Sequence, residues 1–327
     1  MKKLLVLLLT VCCFTSIFAT TACKSTKNGS ITIAVPDGAP VLALYSLMEN
    51  VNVLENYEIK YKVLSGAENI GKTLISGQAD CAVMPVNVAS KLYNAGNDLK
   101  LASVNVFGVL YMVGKTPLEN DEQLKGKVIA TIGKGATPDL SLKIVLQAED
   151  IEWVDSDVAV QNKVALSYVA DAPTAMRMLA KGDADYAILG EPVATTACNN
   201  LKAQIVMDIQ QKWAEVVGEN TFVQAGLVMR SNVYENTELA NALLDRLSRN
   251  KDIILSRADK VKATIQKFGS SLQADFTTEM LERCNLGCAS ASDIRPSIEK
   301  YFNAVLAFDA QFIGGKLPDD GFYYGVN

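Results

Sequence analysis

Short apolar segments alternate with amphipathic, helix-like segments along residues 31–209, and the pattern is mainly helical from residue 236 onward. A short apolar run that leads through a turn into helical periodicity predicts a buried strand followed by a helix. Strands joined in this way by helices predict mostly parallel sheets with helices on both faces, which is an α/β fold. The predicted strands are 31–35, 57–63, 79–84, 99–113, 127–132, 164–169, 184–189 and 203–209.

A short sequence recurs within the chain. Residues 77–82 (GQADCA) match residues 182–187 (GDADYA), which lie 105 positions later. Residues 37–40 (DGAP) also resemble residues 135–138 (GATP), and a leucine-containing helix is predicted after each. The repetition predicts two lobes built on the same strand–helix plan, and the alternative is chance matching between common residues.

Two long apolar segments without helical periodicity are predicted to connect the lobes. Residues 99–113 contain the outgoing crossing, and residues 220–230 form the return crossing. The chain then divides into a discontinuous first lobe, 31–113 and 225–327, and a second lobe, 114–224. Two crossings between two lobes make a hinge.

The N-terminus has the order of a secretion signal. Two lysines precede an uncharged, mostly apolar stretch, 4–19, which is followed by small residues and Cys23. The alternative is a membrane anchor, but a spanning helix needs about 20 apolar residues and this stretch is shorter. The segment TTAC resembles a bacterial lipobox, although Thr20 stands where leucine is usual. We predict a signal peptide over 1–22 and, over 23–30, a lipidated cysteine with a polar tether.

Composition narrows the functional classes. About 305 residues remain after the signal, enough for two domains with their own cores. Phosphate binding needs concentrated positive charge, so the net charge of −5 argues against a nucleic-acid partner. The chain contains no histidine, which excludes histidine general bases, Ser-His-Asp and Cys-His nucleophiles and histidine-ligated zinc. We expect no catalytic residues, no cofactor and no metal ion.

Two cysteines beyond the signal are close in sequence. Cys284 and Cys288 (CNLGC) are either a disulfide, which an extracytoplasmic location would permit, or two free thiols at the end of a helix. Cys81 in an apolar strand and Cys198 on a helix are predicted to fill the core.

Four strand-to-helix turns form the candidate ligand site. In open α/β sheets, ligands bind beyond the carboxyl ends of the strands, where helix N-termini offer N–H groups and a partial positive charge. The alternative for each turn is ordinary helix capping, but matching placement in both lobes favours binding. The predicted ligand-contacting residues of these turns are Asp37, Gly38, Ala39, Pro40, Pro85, Asn87, Lys134, Gly135, Ala136, Thr137, Glu191 and Pro192.

The charges of these turns do not indicate a simple oxyanion ligand. Converging helix N-termini suit a sulfonate or a carboxylate, yet the turns contain no arginine, and Lys134 is the nearby cation. Asp37 and Glu191 are suited to accept hydrogen bonds from an amine-bearing heterocycle; the alternatives are that Asp37 caps its helix and Glu191 faces solvent. Aromatic residues, which are core residues in the alternative interpretation, are candidates for stacking on a ligand ring: Phe107, Tyr111, Tyr168 and Phe222.

Together these segments resemble the substrate-binding proteins of ABC importers, in the branch that includes nitrate, sulfonate, taurine and thiamine-precursor binders. The resemblance covers residues 31–324 and rests on the order of IAVPDGAP, SGQADCAVMPVNVASKL, LKGKVIATIGKGATPDL, KGDADYAILGEPVATTA and GGKLPDDGFYY. It implies a two-lobe periplasmic-binding-protein type II fold that closes at its hinge on a small molecule. It also implies an ABC permease and ATPase as partners and an extracytoplasmic location at the membrane.

Two other functional classes share this architecture. A ligand-sensing surface receptor without transport would have the same sequence features. An enzyme on the same fold is disfavoured, because the synthase of the thiamine-precursor branch looks to need histidine and this chain has none. The resemblance does not name the ligand, so a sulfonate, a carboxylate and an amine-bearing heterocycle all remain open.

Overall fold

A computed structural model describes residues 29–64 and 69–326, so the predicted signal peptide and Cys23 lie outside the described residues. Within these ranges, no helix combines the length and the apolar character that crossing a membrane requires. The strands are β1 (Gly29–Pro36), β2 (Val53–Leu54), β3 (Tyr57–Leu64), β4 (Cys81–Pro85), β5 (Leu99–Val106), β6 (Leu110–Gly114), β7 (Val128–Thr131), β8 (Trp153–Asp155), β9 (Val164–Tyr168), β10 (Tyr186–Gly190), β11 (Gln204–Asp208), β12 (Ala225–Arg230) and β13 (Leu286–Ser290).

Helices connect most of these strands and make up most of the C-terminal part of the chain. They are α1 (Ala39–Leu42), α2 (Tyr45–Asn50), α3 (Ile70–Ile75), α4 (Val86–Asn94), α5 (Thr137–Ala148), α6 (Ala172–Lys181), α7 (Val193–Leu201), α8 (Ile209–Val217), α9 (Ser231–Tyr234), α10 (Thr237–Ser248), α11 (Asn250–Leu255), α12 (Ala258–Gln266), α13 (Thr278–Arg283) and α14 (Arg295–Asp309). Short 3₁₀ helices cover Asp121–Leu124, Ala310–Ile313 and Asp320–Phe322.

The strands form two sheets, one in each lobe, and the predicted α/β class is confirmed. The first sheet has the order β13-β5-β12-β4-β1-β3-β2, and the second has the order β11-β6-β10-β7-β9-β8. The central strands β4 (CAVMP) and β10 (YAILG) are almost entirely buried, which explains their continuous apolar sequences. The tether prediction is wrong at its end, because Gly29 and Ser30 already belong to β1.

The two sheets repeat one arrangement, as the internal sequence match predicts. The parallel order β4-β1-β3 in the first sheet corresponds to β10-β7-β9 in the second, with an antiparallel strand beside β4 and beside β10. The second aspartate of the repeated motif makes the same contact in both lobes. Asp80 Oδ2 accepts from Thr32 N (2.8 Å), and Asp185 Oδ2 accepts from Val128 N (2.9 Å). In each lobe the motif therefore joins the start of one strand, β4 or β10, to the neighbouring parallel strand.

The outgoing crossing lies earlier than predicted. Residues 99–113 form two strands, because β5 lies in the first sheet whereas β6 pairs with β10 and β11 in the second. The chain passes between the lobes at residues 107–109, so residues 110–113 belong to the second sheet. Gly108 has φ +90°, and a Cβ on it would lie 2.1 Å from Gln210 Cγ, so this crossing requires glycine. On the return, β12 pairs antiparallel with β5 and β4.

The C-terminal segment contacts both lobes, although it was predicted to belong to the first lobe alone. Tyr301 on α14 packs on Trp213 of the second lobe, with 5.3 Å between ring centroids. The 3₁₀ turn that follows is bound to α4 of the first lobe, where Asn94 Nδ2 donates to the carbonyl oxygens of Ile313 (2.7 Å) and Lys316 (2.8 Å). The segment is therefore a third connection between the lobes.

Cys284 and Cys288 are free thiols, so the disulfide interpretation is wrong for this structure. The Cys284 thiol donates back to Met280 O of its own helix (3.3 Å), whereas Cys288 Sγ lies 4.0 Å from Leu244 O on α10. The two sulfur atoms thus have different partners, and burial raises the pKa of both thiols. Cys81 is buried in β4 as predicted, and Cys198 on α7 is partly exposed.

The repeated aspartate provides a test of this fold. We expect Asp185→Ala to lower the free energy of unfolding by about 1–3 kcal/mol, because it leaves the buried Val128 N–H without its acceptor. The matched control is Asp183→Ala in the same motif, an exposed position where we expect a change within about 0.5 kcal/mol. Urea unfolding of the three proteins measures both effects. Equal effects of the two substitutions would contradict the structural role of Asp185.

Candidate ligand site between the lobes

A cavity of about 170 Å³ lies between the lobes at the carboxyl ends of the parallel strands. Its wall is built from the turns after β1, β4, β7, β9 and β10, from both crossings and from the loop after α12. This is the placement that open α/β sheets give their ligands. The predicted site residues that line the cavity are Asp37, Gly38, Ala39, Pro40, Pro85, Ala136 and Glu191.

Asn87 and Thr137 do not line the cavity but join the lobes behind it. Both side chains are fully buried. Asn87 Nδ2 donates to Gly135 O of the second lobe (3.0 Å), and Thr137 Oγ1 donates to Gln224 O of the return crossing (3.2 Å). Tyr301 OH donates in turn to Thr137 Oγ1 (3.3 Å). The polar side chains predicted to bind ligand therefore have a structural role, and Gly135 takes part through its carbonyl group.

The remaining predicted residues also lie outside the cavity lining. Lys134 Nζ pairs with Asp155 Oδ2 at 2.5 Å and lies over the ring of Tyr168, so this cation is directed to the surface of the second lobe. The Phe107 ring packs against Gly287. Pro192 is buried and follows a cis peptide bond after Glu191.

The other aromatic candidates for ring stacking have protein partners. Phe222 packs on Trp213 at 5.3 Å between centroids, and Tyr168 OH donates to Asp139 Oδ1 (2.7 Å). Tyr111 is buried, and its pKa is raised to about 12. Burial is the main cause, and the negative charge of Asp208 is the second. The core interpretation of Tyr111 and Phe222 is the one that the structure favours.

Asp37 is not a helix cap, contrary to the simpler interpretation of its position. No side chain caps α1. Asp37 instead accepts from Ser270 Oγ (2.5 Å), Ser271 N (2.6 Å) and Ser271 Oγ (2.7 Å) of the loop after α12. These donors lie in the same lobe and hold the carboxylate at the cavity wall.

Glu191 does not face solvent, because it is only 1% exposed. Its Oε1 accepts from Arg283 Nε (2.9 Å) and from Thr195 Oγ1 (2.6 Å), and its Oε2 accepts from Thr195 N (3.1 Å). Arg283 ends α13 of the first lobe, so the ion pair connects the two lobes. The hydrogen bond and negative charge of Glu191 raise the pKa of the Arg283 guanidinium.

Several backbone N–H groups of the candidate turns are bound to protein acceptors. The N–H groups of Asp37, Val86 and Glu191 donate to the carbonyl oxygens of Leu64 (2.7 Å), Gln224 (3.2 Å) and Val109 (3.0 Å). Proline occupies one of the first two positions of α1, α5 and α6, and proline has no N–H to offer. These helix N-termini therefore offer fewer donors to an anion than the sequence pattern suggests.

Asp171 and Gln224 are among the lining residues that were missed in the sequence. Asp171 follows β9 and caps α6, so the rule that ligands bind at the carboxyl ends of strands applied to it as well. Gln224 interrupts the apolar run 222–229 of the return crossing, and this interruption was the available signal. Among the described residues, no group of three or more cysteine, aspartate or glutamate side chains is arranged to hold a metal ion.

No protein-family model matches the sequence, and no curated protein matches it. Solved structures do. An ABC transporter protein from Parabacteroides distasonis is 25% identical, with a TM-score of 0.74 over 90% of this chain and 98% of that one. The aliphatic sulphonate binding protein SsuA from Escherichia coli is 13% identical, with a TM-score of 0.66 over 90% and 97%. A ligand-binding component of an ABC-type import system from Staphylococcus aureus is 12% identical, with a TM-score of 0.67 over 90% and 96%.

These neighbours confirm the predicted architecture. The chain has the two-lobe α/β fold of ABC transporter binding proteins, and its similarity covers almost the whole length of each neighbour. At 12% and 13% identity, the neighbours from Staphylococcus aureus and Escherichia coli show only that this chain shares their fold.

The ion pair between the lobes provides a test of the site. We expect Arg283→Met to lower the free energy of unfolding by about 1–3 kcal/mol, because it leaves the buried Glu191 carboxylate without a cation; the partial exposure of Arg283 keeps the loss below that of a fully buried pair. Adding Glu191→Gln should recover about 1 kcal/mol. In the control Arg249→Met, which removes an exposed pair with Asp245, we expect a change within about 0.5 kcal/mol. A double variant that is no more stable than Arg283→Met would contradict the coupling.

Proposed function

We propose that the protein is the lipid-anchored, extracytoplasmic solute-binding component of an ABC importer. It captures a small molecule in the cavity between its lobes by closing at the crossings, and it delivers that molecule to a membrane permease coupled to an ATPase. Cys23 carries the lipid and keeps the receptor beside its permease.

The observation that carries the proposal is the position of the cavity. Both lobes contribute its wall, and the two crossings run through it at Val109 and Gln224. A ligand there would contact both lobes at once, so its binding would favour the closed arrangement by its differential affinity for that state. The cavity is smaller than the 300 Å³ or so at the lower end of drug-sized pockets, which suits a small solute.

The neighbours support the transport role. The protein from Parabacteroides distasonis is named as an ABC transporter and the one from Staphylococcus aureus as the ligand-binding component of an ABC-type import system, and the Escherichia coli neighbour is a periplasmic binding protein. None of them is described as an enzyme, and the absence of histidine from this chain removes the commonest general base. A solute-binding protein of this kind acts outside the cytoplasm, which agrees with the signal-like N-terminus.

Retention of a natural ligand tests solute capture. We expect native mass spectrometry of the full-length protein, extracted from its own membrane, to detect a small molecule that is released on denaturation. Ala170→Phe should abolish retention, because Ala170 is an exposed residue of the cavity lining and a larger side chain would block the mouth. The matched control Ala180→Phe, an exposed position on α6 outside the lining, should retain it. Equal retention by both variants, or none by the unmodified protein, would refute capture in this cavity.

Metabolic labelling tests the anchor. In a bacterium with lipoprotein maturation, we expect an alkyne fatty acid to label the protein and the mature N-terminus to begin at a modified Cys23. Cys23→Ser should remove the label, whereas Cys198→Ser should leave it unchanged. An unlabelled protein that keeps its uncleaved N-terminus would contradict the lipoprotein assignment.

A further inference from the structure

The charged side chains that line the cavity are all acidic: Asp37, Asp171 and Glu191. Glu191 is paired with Arg283. Asp171 caps α6, where it accepts from Thr174 N (2.8 Å) and from Thr174 Oγ1 (2.5 Å), so its charge faces a helix N-terminus. The charge of Asp37 is compensated differently, because its donors are neutral and it forms no ion pair within the part of the chain that the structure describes.

The Asp37 carboxylate has capacity for one more partner. Two carboxylate oxygens offer about four acceptor positions, and three hydrogen bonds from Ser270 and Ser271 occupy three of them. Those bonds fix the orientation of the carboxylate without neutralising it. A positively charged nitrogen in the cavity would complete the set with a charge-assisted hydrogen bond.

Gln224 is a second and independent feature that points to a ligand. The residue is 7% exposed, and its Oε1 accepts from Val109 N (3.1 Å). Its Nε2 group donates to no acceptor among the described residues, and Gln224 lines the cavity. The Nε2 atom is not among the fully buried side-chain atoms that lack a partner, so its two hydrogens are accessible from the cavity. An amide N–H₂ group is a double donor, and this one is therefore suited to bind an oxygen atom of the ligand.

The rest of the wall is mostly apolar and contains prolines from both lobes. The lining prolines are Pro36, Pro40, Pro85, Pro138 and Pro173. An ion in such surroundings is stable only if an opposite charge meets it. Asp37 meets that requirement for a cation, whereas the lining offers an anion no lysine or arginine and three carboxylates instead.

Resting on the proposed function, we infer that the ligand is a small organic cation with a nitrogen that donates to Asp37, an oxygen that accepts from Gln224, and an apolar body against the prolines. Charge selectivity is then a property of Asp37. The sulphonate specificity that one structural neighbour's name indicates does not extend to this chain.

Three probes of the same shape and different charge test the inference. They are 4-hydroxybenzamidine, 4-hydroxybenzamide and 4-hydroxybenzoate, whose binding to the full-length protein is measured by calorimetry at neutral pH. We expect the cation to bind roughly 10- to 100-fold more tightly than the neutral amide, and the anion to bind most weakly. The inference would be overturned if the anion bound most tightly, if the three affinities were equal, or if the cation showed no saturable binding.

Asp37→Asn then assigns the selectivity to one residue. The amide keeps an oxygen acceptor for the serine donors while removing the charge, so the preference for the amidine over the amide should fall to within about threefold. Asp183→Asn, at an exposed position outside the cavity, should preserve the ranking. A ranking unchanged in Asp37→Asn would show that other groups set the selectivity. If that variant does not fold, the ranking of the three probes on the unmodified protein still decides the ligand class.

The failure of this inference is distinguishable from the failure of the proposed function. A protein that binds the benzoate best is still a solute-binding protein, with a different ligand class. Solute capture itself fails only if natural ligands are absent or if Ala170→Phe retains them as well as Ala180→Phe does.

Discussion

The structure depends on the hydrogen bonds that pair buried backbone groups where the two lobes meet. Four of these hydrogen bonds involve Gln224. Its N–H donates to Val106 O (3.1 Å), and its carbonyl oxygen accepts from Val86 N (3.2 Å) and from Thr137 Oγ1 (3.2 Å). Its side chain accepts from Val109 N. Both crossings and the first turns of α4 and α5 are thus fixed to one residue. Buried polar groups without partners are costly, so these hydrogen bonds hold the start of α4, the start of α5 and the two crossings together. The cavity lies beside this junction.

Much of this architecture is predictable from the sequence, because it follows from local rules. Central parallel strands are buried on both faces, so they are continuous apolar runs that the pattern reveals. The repeated Gly-x-Ala-Asp motif identifies equivalent strands because Asp80 and Asp185 make the same hydrogen bond. The split of 99–113 into two strands was not predicted, because an apolar run carries no sign of which sheet it joins. The glycine at position 108 was the available signal for the break, and in the structure it has a positive φ.

The candidate site is less predictable because its contacts join residues that are far apart in sequence. Asp37 was predicted to bind the ligand, with capping of α1 as the alternative, but its partner Ser271 lies 234 positions away. Glu191 was predicted to bind the ligand, with a solvent-facing position as the alternative, but it is buried against Arg283, which lies 92 positions away. In each case the local pattern identified a residue at the cavity wall correctly, and only the fold determined which charges remain uncompensated there. Asn87 and Thr137 were predicted to bind the ligand for the same local reason, but their hydrogen-bond partners at the lobe junction are distant in sequence.

Asp37 and Glu191 differ in whether their partners lie in the same lobe, so lobe motion would affect the two residues differently. Asp37 and its serine donors lie in the first lobe, so on the proposed closure this carboxylate keeps its orientation throughout. Glu191 lies in the second lobe and its guanidinium partner in the first, so opening would separate them. Opening would free the Glu191 carboxylate and the Arg283 guanidinium together, so the net charge of the two residues would not change. The ion pair would re-form as the lobes close around the solute, so it adds to the preference of the bound protein for the closed arrangement.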